Sequence, residues 1–520
     1  MNLKARLVAA IAVAVLVWLT GFAHFKIRPD LVFRGAYFIF SDGGQYLWVV
    51  DQLDHGRKLY TDIHWYYGVV PLGAYRAWAF AFGNSAQTYG LYTLSGMAVN
   101  AGLACWWLSR LMSLRWAVGG VLVALAPWLV RNALINIHVP WELTSLLLLA
   151  CAWQPLEKRS PLRQTVLGAL LVMMVMIKMP LMLTGGFALF VTDLIRIYGP
   201  GGSRLSLKRF VGKYWISVVT ATAGLCLYFA WLWWMIGNAA IWFDTAFPLY
   251  MTKAYASIGD PPAWKWQGGP YFLFNQLPVV LAIAGAALPA FWTFTGKGGR
   301  WLEAGGLILP VCFICGPLSV IRQTPHLLQY YWMGLLGLAV CLPLLPRAMR
   351  WAAVAVLLLI SMAVPYKLLL QPRTTALQTL DNGQSLWLSE AEQTQWNAMT
   401  KAWKTHRTEE RKAALVFEIG AGTYFYAQMP QPFRQYYYYP GFVRPYDIDW
   451  LVAHRDEFCG AVVTGNKKRL DFLTEHLTQK EWLHQDANST DDRIKLGPPD
   501  RIDERCLFVP FVLSKDVAGR

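Results

Sequence analysis

Long apolar runs fill most of the first 370 residues, and they restrict the possible fold more than any other feature of this chain. Eleven runs can be distinguished, each of roughly 17–25 residues, the length that a helix needs to cross a bilayer. They lie near 7–23, 88–110, 115–134, 138–156, 161–178, 180–198, 214–237, 271–295, 302–320, 327–345 and 350–370. A composition of 56% hydrophobic and 15% charged residues is also far from that of a soluble globule. We therefore predict a polytopic α-helical membrane protein with about eleven transmembrane helices.

The basic residues predict how these helices are oriented. Residues 1–370 carry 28 Lys and Arg against 11 Asp and Glu, and residues 371–520 carry 19 against 20, so the net charge of +16 is the sum of +17 and −1. The basic side chains concentrate in the loops that are cytoplasmic if the N-terminus is inside. The loop 24–87, the loop 238–270 and the tail 371–520 then lie on the outer face. A single broken helix over 161–198, where Lys178 and Pro180 interrupt the run, would invert the topology after it.

The first apolar run follows Lys4 and Arg6, as the core of a signal peptide would. No convincing small-x-small cleavage site follows it, so we interpret the run as a membrane anchor. The expected location is the bacterial inner membrane, with the N-terminus in the cytoplasm and residues 371–520 in the periplasm.

The tail 371–520 alternates helix and strand signals, which predicts a small α/β domain. An amphipathic helix is expected over 387–406, and short strands are expected over 413–418, 460–464 and 506–513. Cys459 precedes the second of these strands, and Cys506 opens the third. If the two strands are neighbours that start at the same end, the cysteines can form a disulfide in an oxidising compartment. Two buried free thiols are the alternative.

The first outer loop, 24–87, contains the most informative polar residue. Asp42 stands in Ser41-Asp42-Gly43-Gly44, about twenty residues after the first apolar run, and a carboxylate at a membrane boundary is costly unless it has a partner or a task. The stretch 56–71 that follows is rich in aromatic residues and holds an Asp, a His and a Pro. The segments near 46–53 and 69–82 are expected to lie in the plane of the interface. This combination favours acid–base chemistry on a substrate presented at the membrane surface.

At these positions the chain resembles the GT-C superfamily of polyprenyl-phosphate-sugar glycosyltransferases, which includes protein O-mannosyltransferases and the lipid A aminoarabinose transferase. There, an acidic residue in the first outer loop, often Asp-Glu, is followed by a Tyr, a Gly-x-x-x-Tyr-x-Asp stretch and a Pro-containing turn. The similar positions here are Asp42, Tyr46, Gly56, Tyr60, Asp62, His64, Gly68 and Pro71. A later loop of the family resembles 322–331. The chain departs from the pattern at Gly43, in place of the second acid, and at 65–67, where some members have paired prolines.

The resemblance implies a membrane glycosyltransferase that moves a hexosyl or pentosyl group, with inversion, from a polyprenyl-phosphate donor to an acceptor hydroxyl on the outer face. Asp42 would be the base that takes the acceptor's proton. The residues implied at the donor phosphate are Arg322, His64 and Lys178, and those implied at the substrate are Asp62, Tyr66, Tyr67, His326 and Tyr330. The partners would be the lipid-linked sugar, a glycan, lipid or protein acceptor, and membrane lipids, without nucleic acid. No cofactor is implied, and the scattered histidines show no metal-ligand spacing.

Each of these roles has a structural alternative. Asp42 can cap the helix that begins near Gln45, and Asp62 can stabilise a turn. The cations His64 and Arg322 can extend to the membrane interface, and Lys178 can be structural. Two other functions stay open for the whole chain: an envelope polysaccharide polymerase or ligase, and a non-catalytic membrane transporter.

Overall fold

The computed structural model of this protein describes residues 3–65, 67–130, 137–198, 206–248, 277–295, 308–309, 311–312, 324–365, 369–417, 420–436, 443–464, 470–471, 495–496, 499–503 and 506–512. Helices dominate the first 365 residues. They are α1 Leu3–Ile27, α2 Pro29–Val32, α3 Gly35–Phe38, α4 Gly43–Asp54, α5 Val69–Phe82, α6 Ala86–Leu111, α7 Leu114–Val130, α8 His138–Ala152, α9 Pro161–Ile177, α10 Met179–Tyr198, α11 Leu207–Gly212, α12 Trp215–Ile236, α13 Ala239–Ala246, α14 Leu277–Phe294, α15 Thr324–Cys341 and α16 Arg347–Pro365.

A helix occupies every predicted span except 302–320, most of which lies outside the described residues. Within the described part of the chain, α1, α10 and α12 are long and apolar enough to cross a membrane. Helix α12 exposes large apolar side chains, with Leu227 73% and Trp234 77% exposed, as expected for a helix that faces lipid. The mostly helical, membrane-type architecture agrees with the sequence, while the number of eleven crossings stays a prediction.

The apolar run 161–198 forms two helices. Ser160 caps α9 by accepting a hydrogen bond from the Arg163 backbone N–H, and Pro161 takes the first helical position. The helix ends at Ile177, and its C-cap Lys178 has an extended backbone (φ −168°, ψ 120°). Pro180 has no backbone N–H with which to continue the hydrogen-bond ladder of α9. The next helix, α10, begins immediately afterwards and packs against α9.

The tail forms a mixed sheet with helices beside it. Its elements are β1 Thr375–Thr379, β2 Ser385–Ser389, α17 Glu390–His406, β3 Ala413–Phe417, α18 Ala421–Ala427, α19 Pro445–Ala453, β4 Phe458–Thr464, β5 Lys495–Leu496, β6 Asp500–Asp503 and β7 Cys506–Val512. Strands β1 and β2 form a hairpin, and the sheet order is β3-β4-β7-β5, with β6 also on β7. The predicted helix 387–406 starts later than expected, because Ser389 and Glu392 form a capping box and Trp387 belongs to β2.

The predicted Cys459–Cys506 disulfide is wrong for this structure. Strands β4 and β7 are neighbours, but they are antiparallel, and Cys506 pairs with Thr464 at the end of β4 opposite to Cys459. Five residues of strand then separate the two positions, roughly 17 Å, well beyond the separation of about 7 Å that a disulfide permits. The Cys459 thiol instead donates a hydrogen bond to the Ala413 carbonyl, at 3.2 Å.

The segment 24–87 packs directly on the tail. One apolar core joins side chains of 25–89 to side chains of 380–508. Helices α4 and α18 approach each other closely, since a Cβ atom on Gly44 would lie 2.3 Å from the Gly422 Cα atom. A Cβ atom on Gly422 would in turn lie 1.9 Å from the Phe38 carbonyl oxygen, so both Gly44 and Gly422 are needed for this packing. Arg57 adds hydrogen bonds from the loop to the carbonyls of Gln431 and Pro432.

Candidate functional site

Asp42 stands at the start of α4 without capping it. Its backbone is helical (φ −64°, ψ −20°), and its carboxylate makes no cap hydrogen bond to the helix. The side chain is half-buried beside Tyr37, whose hydroxyl lies 3.0 Å from that of Tyr89. Burial raises the pKa of Tyr37 well above its usual value, and the charge of Asp42 adds to the rise. A partly accessible carboxylate beside protonated phenols can accept a proton from a bound hydroxyl.

The departure at Gly43 has a steric cause. A Cβ atom at this position would lie 2.5 Å from the ring of Tyr37 and 2.9 Å from its carbonyl oxygen. Since real Cβ contacts are never that short, a second acid cannot stand beside Asp42 unless Tyr37 moves. The position of Tyr37 thus explains why this motif has one acid, Asp42, where the family often has two.

A pocket is lined by three of the predicted site residues. It contains about 490 Å³ of empty space, part of which is open to solvent. His64 and Tyr67 line it from the first loop, and Lys178 lines it from the junction of α9 and α10. The other lining residues are Tyr60, Trp65, Gly68, Val175, Met179, Tyr228, Asp244, Thr245, Ala246 and Pro248. The loop is seated there by the Gly68 backbone N–H, which donates to the Ile177 carbonyl at 2.9 Å.

Tyrosine rings connect this pocket to Asp42. The ring of Tyr67 lies 6.4 Å from the ring of Tyr46, which contacts the ring of Tyr89 at 6.2 Å. The Tyr89 hydroxyl in turn lies 3.0 Å from the hydroxyl of Tyr37, and the pKa of Tyr37 is raised in part by the charge of Asp42. Asp42 and the pocket that His64 and Lys178 line therefore border one aromatic cluster.

His64 is buried, and it does not have the charge expected of it. Only 3% of it is exposed, and its backbone N–H donates to the Arg434 carbonyl at 2.8 Å. Burial lowers the pKa of His64 well below its usual value, and the positive charge of Arg434 lowers it further. The imidazole is thus neutral at pH 7 and can offer a phosphate a hydrogen bond but no positive charge. The expectation of a cation at this position is corrected accordingly.

Lys178 supplies the positive charge among the described residues that line the pocket, and it pairs with a buried carboxylate. Its Nζ atom donates to Glu142 Oε1 at 3.1 Å; the Lys178 side chain is 13% exposed and that of Glu142 1%. The Nε2 atom of His138 lies 3.7 Å from the same carboxylate oxygen, and the His138 ring stacks on Tyr67 at 4.0 Å. Glu142 lies near the start of α8 and is paired with the pocket lysine. A bound phosphate would have to share Lys178 with this carboxylate.

The remaining predicted site residues have mixed positions. The Asp62 carboxylate accepts a hydrogen bond from the Lys58 backbone N–H at 2.9 Å, which fits the turn role that the sequence left open. His326 and Tyr330 lie on α15. Tyr66 and Arg322 lie outside the described residues. Among the residues that the structure does describe, no group of three or more His, Cys, Asp and Glu side chains is arranged to hold a metal ion.

Sequence reasoning did not single out the residues that join the pocket to the tail. Asp244, on α13, lines the pocket and accepts hydrogen bonds from Arg444 Nε and the Tyr446 hydroxyl, both at 2.9 Å. Arg434 donates to the Tyr60 carbonyl at 2.8 Å. One signal was present in the sequence: Asp244 is an acid within an aromatic segment at the membrane boundary, where an unpaired charge is costly.

The solved structures that are similar to this chain include two of ArnT and one of AglB. ArnT from Cupriavidus metallidurans bound to undecaprenyl phosphate is 14% identical, with a TM-score of 0.52 and 99% of each chain covered. Its apo structure is 13% identical, with a TM-score of 0.49 and 98% of each chain covered. The oligosaccharyltransferase AglB from Archaeoglobus fulgidus, in complex with an inhibitory peptide and a dolichol-phosphate, is 11% identical, with a TM-score of 0.46, and the match covers 88% of this chain and 69% of that one.

No model of a protein family matches the sequence, and no curated protein matches it. The likeness to ArnT with undecaprenyl phosphate runs over the whole chain and shows a shared fold. The GT-C resemblance of the sequence is thereby confirmed at the level of the fold.

Proposed function

We propose that this chain is a membrane glycosyltransferase that moves a sugar from a polyprenyl-phosphate donor to an acceptor hydroxyl on the outer membrane face, with inversion. The observation that carries the proposal is the placement of Asp42 and of the pocket with Lys178 around one tyrosine cluster. The shared fold adds support, because the ArnT structure with that fold binds undecaprenyl phosphate, the lipid class proposed here.

In the proposed reaction Asp42 takes the proton of the acceptor hydroxyl. The acceptor oxygen then forms a bond to the anomeric carbon of the sugar, and the bond from that carbon to the phosphate oxygen breaks. The electron pair of the broken bond stays on the phosphate, which leaves as polyprenyl phosphate. Lys178 offers positive charge where the negative charge of the leaving group develops, and His64 offers a neutral N–H.

The test is transfer by the purified protein. Lipid extracted from it should contain polyprenyl phosphate by mass spectrometry. Incubation with synthetic polyprenyl-phosphate sugars should yield free polyprenyl phosphate and a glycosylated acceptor of inverted anomeric configuration. A product with retained configuration, or the absence of any transfer from a panel of hexosyl and pentosyl donors, would contradict the proposal.

Lys178 should matter for donor binding through its charge. Lys178→Gln alone leaves Glu142 as a buried unpaired charge, so the informative variant is Lys178→Gln with Glu142→Gln, which keeps the pair neutral. We expect this double variant to raise the donor KM about tenfold, because the donor phosphate loses one charge-assisted hydrogen bond. Glu142→Gln alone should bind donor at least as tightly as the unmodified protein, because Lys178 then has no competing anion. Weaker binding by Glu142→Gln would make the pair a structural one.

Arg322 is proposed, from the sequence alone, as a second positively charged residue that binds the donor phosphate. Arg322→Ala should raise the donor KM, and Arg322→Lys should restore only part of it, because a lysine cannot make the bidentate contact of a guanidinium. Donor titrations of both variants, with thermal stability measured in parallel, decide the matter. An unchanged KM in a well-folded Arg322→Ala protein would make it an interface residue.

A further inference from the structure

Two walls of the pocket are held by side chains of the tail. One wall consists of residues 60, 64, 65, 67 and 68 of the first loop, and the other is the end of α13 with Asp244. In both cases the residue of the tail is about 200 or more positions away in the chain, since Arg444 contacts Asp244 across 200 residues and Arg434 contacts Tyr60 across 374. These contacts are therefore tertiary and specific to the folded state.

Arg434 holds the first wall at two points. Its guanidinium donates to the Tyr60 carbonyl at 2.8 Å, and its own carbonyl accepts the His64 N–H at 2.8 Å. Tyr60 has a left-handed backbone (φ 70°), which is unfavourable for a bulky residue and persists only where its surroundings enforce it. Arg434 is itself fixed by a charge-assisted hydrogen bond to the buried Asp447.

Asp244 holds the second wall. The carboxylate is largely buried and accepts from Arg444 and from Tyr446 at the same oxygen. The Arg434 guanidinium lies 4.8 Å from the centre of the Tyr446 ring, and Asp447 also accepts from the Arg444 backbone N–H at 2.9 Å. One network of the tail thus reaches both walls.

We infer that this network, Arg434, Arg444, Tyr446 and Asp447 on the tail with Asp244 on α13, positions the pocket for the lipid-linked donor. These are positioning residues, since they act through the segments that they hold. The inference rests on the proposed function for the identity of the ligand, but not for the coupling between tail and pocket. It assigns the tail a part in donor binding, through the pocket walls that it holds in place.

The test compares Asp244→Asn with the unmodified protein. Asn keeps the shape but removes the charge that Arg444 pairs with, so the Kd for undecaprenyl phosphate and the donor KM should each rise about tenfold, while kcat changes by less than about threefold. Backbone amides of 239–248 and 60–68 should exchange hydrogen faster without any ligand. Arg444→Gln should have the same effects, and Arg444→Lys should recover part of the affinity.

A matched control is Asp381→Asn, which removes an exposed ion pair of the tail, with Lys404 at 3.0 Å; it should leave affinity and exchange unchanged. A lower thermal stability of Asp244→Asn with unaltered KM and exchange would overturn the inference and leave a merely structural ion pair. If the unmodified protein binds no undecaprenyl phosphate, the proposed function fails instead. Hydrogen exchange then decides the coupling alone, and unchanged exchange in both segments refutes it.

Discussion

Replacing Asp42 with Asn should lower sugar transfer by roughly 10²-fold or more, because a general base contributes about that much to a transfer of this kind. Asn keeps the size and the hydrogen-bonding capacity of the side chain but cannot accept a proton. Stability should barely change, since the Asp42 carboxylate caps no helix; loss of a true N-cap would cost about 1 kcal/mol. The measurement is kcat with saturating donor, together with the Kd for undecaprenyl phosphate, which should stay near that of the unmodified protein.

The same substitution elsewhere on α4 provides the control. Asp51 is half-buried on this helix, where it accepts a hydrogen bond from the Gln52 side chain at 3.0 Å. Asp51→Asn should keep most of the transfer activity. Near-normal turnover by Asp42→Asn would remove the assignment of the base, and an equal loss in both variants would trace the effect to α4 rather than to the carboxylate.

The sequence predicts the helical part of the fold well, for a physical reason. An apolar run of bilayer length that ends at Pro, Gly or charged residues leaves few alternatives to a helix, and the break at Lys178 was visible from Pro180. Strand direction is different, because it depends on pairing between distant segments. The positions of β4 and β7 were predicted, but their antiparallel arrangement was not, and the disulfide prediction failed for that reason.

The sequence indicates candidate residues such as Asp42, His64 and Lys178, but not the partners that they have in the fold. Asp42 and His64 belong to one loop, so a single pattern identifies both. The pairing of Lys178 with Glu142, and of Asp244 with Arg444, joins residues that lie far apart in the chain. The sequence shows that a charged residue in an apolar segment needs a partner, but only the fold determines which residue that partner is. Neutral His64 is a similar case, since its pKa depends on burial and on Arg434.

Replacing Asp193 with Ala should cause the largest loss of stability. At the end of the helices opposite to the pocket, Asp193 on α10 is fully buried and pairs with Arg159 at 2.6 Å. It also accepts hydrogen bonds from Trp153, at 3.1 Å, and from the Tyr214 hydroxyl. Removal of the carboxylate leaves the buried guanidinium without its counter-charge, which costs about 3–5 kcal/mol. Thermal unfolding in detergent, followed by the fraction that stays monodisperse, should show a drop of several degrees.

Two further variants separate a buried charge from a lost contact. Asp54→Ala removes an exposed ion pair of similar length, Asp54 with Arg76 at 3.0 Å, and should cost less than about 1 kcal/mol. Arg159→Met with Asp193→Leu removes both buried charges and should recover much of the loss, because apolar side chains of similar volume replace such a pair at little cost. If the double variant recovers none of the loss, the hydrogen bonds of Trp153 and Tyr214, which both variants lack, are the larger contribution. If Asp193→Ala is no less stable than Asp54→Ala, the pair does not hold α10 to the neighbouring helices.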